Sequence, residues 1–279
     1  MINCPNCNTE LPPEARFCWN CGAPQVSASF VEQEEATITF DDTLEKEIVD
    51  RFFKLLQIGV EQEQDASMDK LYAERVYASG FREILHRRVT QLVESFHADY
   101  PAGKMPTQRF EQEVEAVLMP ILDYFFIQYC QDLNQIQLPE AILKYSEVSF
   151  SEIDFFQMVL DYLALEQEKE PFYTDFLKMP IEKLKNAGKM FLFPEKNERI
   201  LLICDLSLLG SCKEGFALTE AALYWKAYLQ KPKIVAFQQL QSIKREKDWL
   251  LINGEFFSAN ASINVKLLKL LKKIKALSQ

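Results

Sequence analysis

The sequence predicts a multi-domain α+β protein with a small cysteine-rich unit, a central acidic α-helical bundle and a small antiparallel β domain capped by a helix. Three observations lead to this prediction. Two Cys-x-x-Cys pairs stand within the first 21 residues. Apolar residues then recur at helical spacing, and short apolar runs replace that spacing after residue 190. The predicted boundaries are 1–24 for the cysteine-rich unit, 25–42 for a linker, 43–190 for the helical domain and 191–279 for the β domain.

The helical domain is predicted from apolar residues that repeat every three or four positions. The first such stripe follows Asp42 and Thr43, either of which suits a helix N-cap, and it consists of Ile48, Phe52, Leu55, Leu56 and Val60. Similar stripes run through Leu71–Phe96 and Phe110–Leu133, and shorter helices are expected at Pro139–Tyr145, Ser151–Glu168 and Ile181–Ala187. Together they predict a bundle of five or six helices.

Charge is distributed unevenly along the chain, whose formal net charge is −10. Residues 31–180 carry 30 acidic and 13 basic side chains, whereas residues 181–279 carry 9 acidic and 17 basic ones. Nucleic-acid binding depends on clustered Lys and Arg. The acidic middle of the chain therefore argues against a nucleic-acid-binding protein, and we expect nucleic acid not to be a partner.

The C-terminal third is predicted to be a small antiparallel sheet or barrel. Its apolar runs are short and closely spaced, beginning with Ile200–Asp205. Gly210 to Gly215 is expected to form a hairpin loop, and Asn253-Gly254 is the strongest short hairpin signal in the chain. The last segment, Ile263–Leu277, has its leucines on one face and is predicted to be a terminal helix.

The cysteines indicate a metal site rather than a disulfide framework. The chain has seven of them, an odd number, and Cys4, Cys7, Cys18 and Cys21 form two Cys-x-x-Cys pairs separated by ten residues. Two such turns that face each other complete a tetrahedral thiolate site, which is typical of structural zinc. The sequence therefore predicts one structural Zn²⁺ held by these four residues. The remaining three, Cys130, Cys204 and Cys212, are expected to be buried or incidental thiols.

This N-terminal segment resembles short bacterial zinc-ribbon modules, through Cys-Pro-x-Cys, the spacer that ends in Phe17-Cys18, and Cys21-Gly22. Pro5 is expected to stiffen the first turn and Gly22 to permit the backbone reversal after the second. The resemblance implies a fold and a metal but no reaction, because four cysteines close the position that a catalytic zinc keeps open. A thioredoxin-type redox role would need a strand-to-helix unit that is lacking here, and the spacer is short for a rubredoxin-like iron site.

Residues 200–279 resemble the PH-like domains of bacterial regulatory proteins. The resemblance rests on the strand at 200–206, the Lys213–Glu220 segment, Leu223–Lys226, the Phe237-x-x-Leu240-x-x-Ile243 pattern and the Trp249–Gly254 hairpin before the terminal helix. It implies a bent antiparallel barrel capped by one helix. Such domains bind peptides, other protein domains or lipid headgroups, and which of these applies here stays open.

Two interpretations of the terminal helix make opposite demands on its leucines. It carries Lys266, Lys269, Lys272, Lys273 and Lys275 opposite Leu267, Leu270, Leu271 and Ile274. The favoured interpretation is that the leucines cap the barrel, with the lysines free to meet the acidic bundle or a partner. A basic amphipathic helix can instead lie on an anionic membrane, which is the less favoured alternative.

No catalytic motif is recognised, and no catalytic residue is predicted. Glu83-x-x-His86 and Glu94-x-x-His97 match the pair used in di-metal bundles, but eleven residues separate them by about 16 Å along a helix. They cannot share a metal, and the chain has no further histidine. Glycine-rich phosphate loops, nucleophile elbows and dinucleotide fingerprints are lacking from the sequence.

The sequence favours a non-catalytic zinc-binding adaptor or regulatory protein that acts through protein–protein interactions. The alternative is an enzyme or effector with an unrecognised active site in the helical domain. A nucleic-acid-associated factor is weaker, because Arg16 is the only basic residue of the ribbon. The start Met-Ile-Asn-Cys does not resemble a secretory signal, and no run reaches the roughly 18 apolar residues of a membrane span. We therefore expect a cytoplasmic protein, with a homo-oligomer as an open possibility.

Overall fold

The computed structural model describes residues 2–4, 6–12, 15, 17–23, 36–146 and 152–278. Pro5, Arg16, Ser151 and most of the predicted linker 25–42 lie outside these ranges. The protein is a mixed α+β structure with an N-terminal zinc ribbon, several helices and antiparallel sheets.

The α-helices are α1 (Leu44–Glu63), α2 (Asp69–Ala78), α3 (Phe81–Asp99), α4 (Thr107–Tyr129), α5 (Phe155–Leu163), α6 (Ile181–Met190) and α7 (Ala261–Leu277). The strands are β1 (Ile2–Asn3), β2 (Glu10–Leu11), β3 (Thr37–Thr39), β4 (Lys104–Pro106), β5 (Phe172–Tyr173), β6 (Ile200–Asp205), β7 (Gly215–Thr219), β8 (Ala222–Lys226), β9 (Lys233–Ala236), β10 (Ile243–Glu246), β11 (Trp249–Ile252) and β12 (Glu255–Phe257). Short 3₁₀ helices cover Ala66–Met68, Glu140–Tyr145, Leu165–Gln167 and Phe237–Gln239.

Helices α1 to α4 enclose one hydrophobic core that is rich in aromatic side chains. Phe52, Phe81 and Phe125 are completely buried in it, and the rings of Phe81 and Phe125 lie 4.6 Å apart. The predicted stripe over Leu71–Phe96 is divided between α2 and α3, because Gly80 adopts a left-handed conformation with φ of 76°. Glycine adopts this φ without the strain that a side chain would add, and after the turn α3 packs back onto α1.

The C-terminal end of the predicted linker belongs to this bundle. Strand β3 pairs with β4, which precedes α4, through the register Ile38↔Met105. Phe40 is buried in the core and stacks on Phe96 at 5.7 Å. Polar, period-free sequence led to the linker prediction, but one buried aromatic ring and one strand pair are enough to anchor a short segment.

Two antiparallel sheets follow in the C-terminal part. The first has the order β5-β6-β7-β8-β9 and the second the order β10-β11-β12. The hairpin predicted at Asn253-Gly254 joins β11 to β12 through the register Ile252↔Glu255. The Gly210 to Gly215 loop joins β6 to β7, and Gly215 begins β7 where a Cβ would lie 2.0 Å from the carbonyl oxygen of Cys204.

Both faces of the five-stranded sheet are covered. Helix α6 packs on one face, where Ala187 belongs to the same core as Ile203 and Tyr224. The other face contributes Phe216 and Trp225 to a core that also contains α5 and α7. Strands β6 and β7 are therefore buried on both sides, which explains why they have no polar alternation.

This packing differs from the predicted boundary at residue 190. Strand β5 pairs with β6, and both α5 and α6 pack with the C-terminal sheets rather than with the core of α1 to α4. Helical periodicity identifies an apolar face, but it does not say which core that face joins. The three long stripes predicted in 43–190 form the bundle core as the four helices α1 to α4.

Helix α7 is buried on several sides at once. Leu267, Leu270, Leu271 and Ile274 are at most 3% exposed and pack against both sheets, as the cap interpretation requires. Lys266 and Lys269 are also buried, at 2% and 3% exposure. Asn260 caps the helix by accepting a hydrogen bond from the backbone N–H of Ile263. Among the described residues, no helix is both long and apolar enough to cross a bilayer.

The two buried lysines form ion pairs with other parts of the chain. Lys266 Nζ lies 2.6 Å from Glu168 Oε1. Burial alone would raise the pKa of Glu168, but hydrogen bonds from Lys266, Ser262 and Asn260 outweigh it and lower that pKa. The ammonium group of Lys266 is thus matched by a carboxylate that is itself held in its charged form.

Lys269 joins the bundle to the C-terminal part through what we call the Lys269 cluster, consisting of Lys269, Glu63 and Asp123. Its ammonium group contacts the Asp123 carboxylate on α4 and lies 2.9 Å from Glu63 Oε1 at the end of α1. Burial acts to lower the pKa of Lys269, but the two carboxylates outweigh it and raise that pKa. Both Glu63 oxygens are buried without a hydrogen-bond partner of suitable geometry, and the ammonium groups of Lys269 at 2.9 Å and Lys272 at 4.0 Å face this carboxylate.

The burial of α7 predicts a large stability loss for Leu271→Asp. The new carboxylate would enter a core position that is 0% exposed, and the free energy of unfolding should fall by about 3 kcal/mol or more. Leu71→Asp, the same change at a side chain that is 47% exposed on α2, should alter it by about 0.5 kcal/mol. Urea unfolding measures both. Equal stability of the two variants would mean that α7 is not buried.

The Lys269 cluster predicts that Lys269→Met costs more than removing the whole charge set. Methionine leaves the buried Glu63 and the partly buried Asp123 without the Lys269 cation, with Lys272 at 4.0 Å from Glu63 as the remaining ammonium group, and it should destabilise the protein by about 3 kcal/mol. Adding Glu63→Gln and Asp123→Asn should recover most of that loss in urea unfolding. Lys275→Met, on the more exposed side of the same helix, serves as the control. If Lys269→Met alone were as stable as the wild-type chain, this role of the Lys269 cluster would be contradicted.

Candidate metal centre

The two Cys-x-x-Cys segments fold into knuckles with the same backbone hydrogen bonds. In the first, the N–H of Asn8 donates to the Cys4 carbonyl and the N–H of Cys4 donates to the Thr9 carbonyl, at 2.8 and 2.9 Å. In the second, Gly22 donates to Cys18 and Cys18 donates to Ala23, both at 2.9 Å. The same bonds join equivalent positions, so the two knuckles are two copies of one turn.

Each knuckle ends in a left-handed residue. Gly22 has φ of 72°, as expected from its position after the second pair. Asn8 occupies the equivalent place in the first knuckle with φ of 59°. Asparagine is one of the few residues other than glycine that adopts this conformation readily. The role of Asn8 was not predicted, although its spacing from Cys4 equals that of Gly22 from Cys18.

The four predicted ligands lie together. Cys4 Sγ is 3.6 Å from Cys21 Sγ, and Cys7 Sγ is 3.6 Å from Cys18 Sγ. All four sulfur atoms lie within 4.8 Å of one another. A tetrahedron with the usual Zn–S distance of about 2.3 Å has edges of about 3.8 Å. The sulfur positions therefore fit a single Zn²⁺ ion.

Polar neighbours stabilise the thiolate form of Cys7 without the help of a metal. The Thr9 hydroxyl lies 3.1 Å from Cys7 Sγ, and the Asn20 side-chain amide donates to both groups. Hydrogen bonds from the side chain and backbone of Thr9 lower the pKa of Cys7 to about 6. Burial raises the pKa of Cys18 to about 11. A divalent cation would hold all four groups as thiolates, since metal coordination deprotonates a thiol. Thr9 and Asn20 are supporting residues that the cysteine spacing alone does not reveal.

The centre is a closed structural site. Four sulfur ligands complete the coordination of zinc and leave no position for a substrate. The ribbon's own core consists of Cys4, Leu11 and Cys18, with β1 paired to β2 through Ile2↔Leu11 and Asn3↔Glu10. A core of this size cannot stabilise a fold alone. The metal therefore supplies most of the ribbon's folding energy.

The ribbon carries two large aromatic side chains in water. Phe17 and Trp19 are each 66% exposed, and they flank the ligand Cys18. Because Trp19 lies inside the second knuckle, coordination of Cys18 and Cys21 fixes its backbone. In the sequence, Phe17 is part of the spacer and Trp19 part of the second knuckle, and neither position indicates its exposure.

The other candidate residues do not assemble a second metal site. Glu83, His86, Glu94 and His97 all lie on α3, as predicted. His86 accepts a hydrogen bond from Arg82 at 3.3 Å, and the His97 ring packs against Phe40. Within the described part of the chain, the four ribbon cysteines are the one group of His, Cys, Asp or Glu side chains close enough to share an ion.

The three remaining cysteines are buried thiols, as expected. Burial raises the pKa of Cys130 and of Cys212 to about 12 and raises that of Cys204 as well. Thiols with raised pKa values are poor nucleophiles. They contribute to the bundle core and to the two sides of the five-stranded sheet.

Comparison with known proteins agrees with the geometry of the ribbon. Residues 3–25 match the family model of the zinc-ribbon domain. No curated protein and no solved structure matches the chain. The match covers the metal centre alone, so the rest of the chain is interpreted from its own residues.

The closed thiolate site predicts one zinc ion per chain that is lost when a ligand is changed. Cys21→Ser and Cys4→Ser should each abolish stoichiometric zinc, measured by elemental analysis of protein purified without chelator. The melting temperature of the remaining domains should change by less than about 2 °C, because the ribbon has its own small core. Cys130→Ser should keep its zinc and serves as the control. Wild-type protein without zinc would contradict the assignment.

Proposed function

We propose that this chain is a non-catalytic zinc-binding adaptor or regulatory protein that acts through protein–protein interactions. The observation that carries the proposal is the pair Phe17 and Trp19, both 66% exposed beside the metal centre. Aromatic side chains are enriched among the residues that dominate binding energy at protein interfaces. A metal-fixed knuckle presents them with little loss of conformational freedom, which favours tight association.

The C-terminal architecture supports a PH-like interaction domain. Strands β6 to β9 form four consecutive antiparallel strands, β10 to β12 form three more, and α7 follows directly. The helix packs against both groups of strands. This arrangement fits the bent barrel capped by one helix that the sequence resemblance implies. Strand β5 extends the first sheet beyond that pattern.

The helical bundle serves in this proposal as a scaffold. It is attached to the C-terminal part through the Lys269 cluster and through Gln62, which accepts a hydrogen bond from the backbone N–H of Arg245 at 2.6 Å. Separating a buried ion pair leaves an uncompensated charge, so these contacts favour one placement of the elements that they join. A binding surface on either part is then held at a defined distance from the other.

The enzyme alternative has less support from the shape of the bundle. A surface cavity of about 350 Å³ lies between α1, α2 and α3 and is lined by residues that include Asp42, Glu45 and His86. It is open to solvent, whereas catalytic sites usually sit in enclosed pockets with converging polar groups. The weaker nucleic-acid alternative would rely on a ribbon whose sequence has Arg16 as its basic residue, and phosphate contacts need clustered cations.

The proposal predicts that partner binding depends on the two ribbon aromatics. Phe17→Ser combined with Trp19→Ser should reduce binding of a specific partner by about tenfold or more and leave zinc content unchanged. Tyr77→Ala removes an aromatic ring that is 57% exposed on the bundle and should retain the partner. Quantitative mass spectrometry of the proteins that bind the full-length chain identifies the candidate partner. Titration with that purified partner then measures the affinity of the wild-type and variant chains.

A second copy of the chain counts as a partner in this test. Sedimentation analysis of the wild-type and double-variant proteins therefore accompanies the titration. Equal affinity for the purified partner, with zinc retained in both proteins, would contradict the role given to the ribbon.

A further inference from the structure

The surface cavity of about 350 Å³ between α1, α2 and α3 has one wall built from stacked side chains. The rings of Phe53 and Tyr77 lie 5.9 Å apart, with an angle of 12° between their planes. The Arg82 guanidinium lies over the Tyr77 ring, with its Cζ atom 5.6 Å from the ring centroid. Because α1, α2 and α3 contribute one member each, the packing of the three helices holds this wall in place.

Arg82 is held in this wall without an acidic partner. Its Nε–H donates to Nε2 of His86, 3.3 Å away, which holds the guanidinium from the side. Within the described ranges of the chain, Arg82 forms no ion pair with a carboxylate, and its side chain is exposed. A guanidinium that is fixed by stacking and still accessible to solvent is a binding site for the face of an aromatic ring.

The cavity also contains carboxylates. Asp42 and Glu45 line it around the start of α1, together with Lys46. An anionic guest would meet these two carboxylates, and a cationic guest would meet Arg82 and Lys46. The mixed lining suits a neutral aromatic group instead, whose ring face attracts a cation while an N–H group donates to a carboxylate. Tryptophan is the side chain that combines these two properties.

The chain itself has a tryptophan that the fold leaves in water. Of its three tryptophans, Trp225 is buried and donates its indole N–H to the Phe256 carbonyl at 2.7 Å. Trp249 is half-buried in the second sheet, where its ring packs against Phe256. Trp19 is 66% exposed on the metal-fixed knuckle of the ribbon. Its indole ring is therefore available to bind elsewhere.

The connection between the ribbon and the bundle is long enough to bring Trp19 to the cavity. Twelve residues, 24–35, separate Ala23 of the ribbon from Ala36, whose carbonyl accepts a hydrogen bond from the N–H of Thr107. Covalent geometry lets that length of chain span up to about 45 Å. The six residues from Ala36 to Asp42 span at most about 20 Å, so the attachment point lies near the cavity.

From these observations we propose that the cavity between α1, α2 and α3 binds Trp19 of the same chain. In the docked arrangement the indole face stacks on Arg82 and its N–H donates to Asp42 or Glu45, and this arrangement alternates with the one in which Trp19 is in water. Covalent connection favours the chain's own ribbon over that of a second copy, because it gives an effective concentration on the order of millimolar. The consequence for partners rests on the proposed function: a partner that binds Phe17 and Trp19 must compete with the cavity.

The test replaces zinc by Co²⁺ in the full-length chain and follows the NMR signals of its two histidine rings. Co²⁺ is paramagnetic and shifts nearby nuclei, so the difference in chemical shift between the Co²⁺ and Zn²⁺ forms reports how close each ring is to the ribbon. His86 lines the cavity, whereas His97 lies about 16 Å further along α3. In the wild-type chain His86 should show a clearly larger difference than His97, and dilution should not change it.

Two variants remove one side of the proposed contact each. Trp19→Ser and Arg82→Gln should lower the His86 difference by about threefold or more, because loss of the cation–π contact lowers the docked fraction. Each variant is compared in its own Co²⁺ and Zn²⁺ forms, so the effect of losing the hydrogen bond from Arg82 to His86 cancels. Arg87→Gln changes another exposed arginine of α3 and should keep the wild-type difference.

Equal differences at His86 and His97 in the wild-type chain would overturn the proposal. So would a His86 difference that persists in Trp19→Ser, or one that falls on dilution, which would place the ribbon of a second copy in the cavity. No partner is present in these measurements, so their result does not depend on the proposed function. With docking confirmed, Arg82→Gln should bind a purified partner severalfold more tightly than Arg87→Gln does, and equal affinities would instead contradict the role given to the ribbon aromatics.

Discussion

Helix α7 can be buried along most of its length only because the charges in its sequence are neutralised inside the protein. An unpaired ammonium group in a protein interior carries a desolvation cost of several kcal/mol. Lys266 finds Glu168, and Lys269 finds Glu63 and Asp123. These carboxylates come from α1, from α4 and from the segment after α5, so the position of α7 is coupled to all three elements. The bundle and the sheets are coupled through this requirement.

Buried charges are also paired at both ends of the five-stranded sheet, but the two ends differ in what lies above those pairs. At the β7–β8 turn, Glu198 accepts hydrogen bonds from the side chains of Thr219 and Tyr224, which closes that end with paired polar groups. At the opposite end, Asp205 and Lys183 pair beneath the loop at 206–214 and leave the apolar residues above them in water. With α6 on one face and α7 on the other, this loop end leaves Leu208, Leu209, Tyr228 and Leu229 exposed.

Local signals in the sequence predicted the parts of the structure that depend on neighbouring residues. The spacing of Cys4, Cys7, Cys18 and Cys21 was enough for the metal centre, and Asn253-Gly254 was enough for a hairpin. The leucine stripe of the terminal helix predicted its buried face. The partners of Lys269 could not be predicted this way, because a leucine–lysine stripe is the same for a surface helix and for one that buries its lysines against distant carboxylates. The placement of α5 and α6 is a similar case, since an apolar face does not name its core.

Leucine and lysine occur together in α7 and in the loops at 206–214 and 227–232. They are largely buried in the helix and exposed in the loops. In α7 they suggest a membrane-binding helix, yet its leucines fill the space between the sheets and two of its lysines are charge-paired inside. In the loops at 206–214 and 227–232 no periodicity draws attention to such residues, yet Leu208, Leu209, Tyr228 and Leu229 are each at least 73% exposed. The exposed fraction of the side chains distinguishes α7 from the loops, because only accessible apolar area can be transferred out of water into a bilayer. A surface helix and a loop tip with the same composition can be distinguished only once the fold has determined which of them is covered.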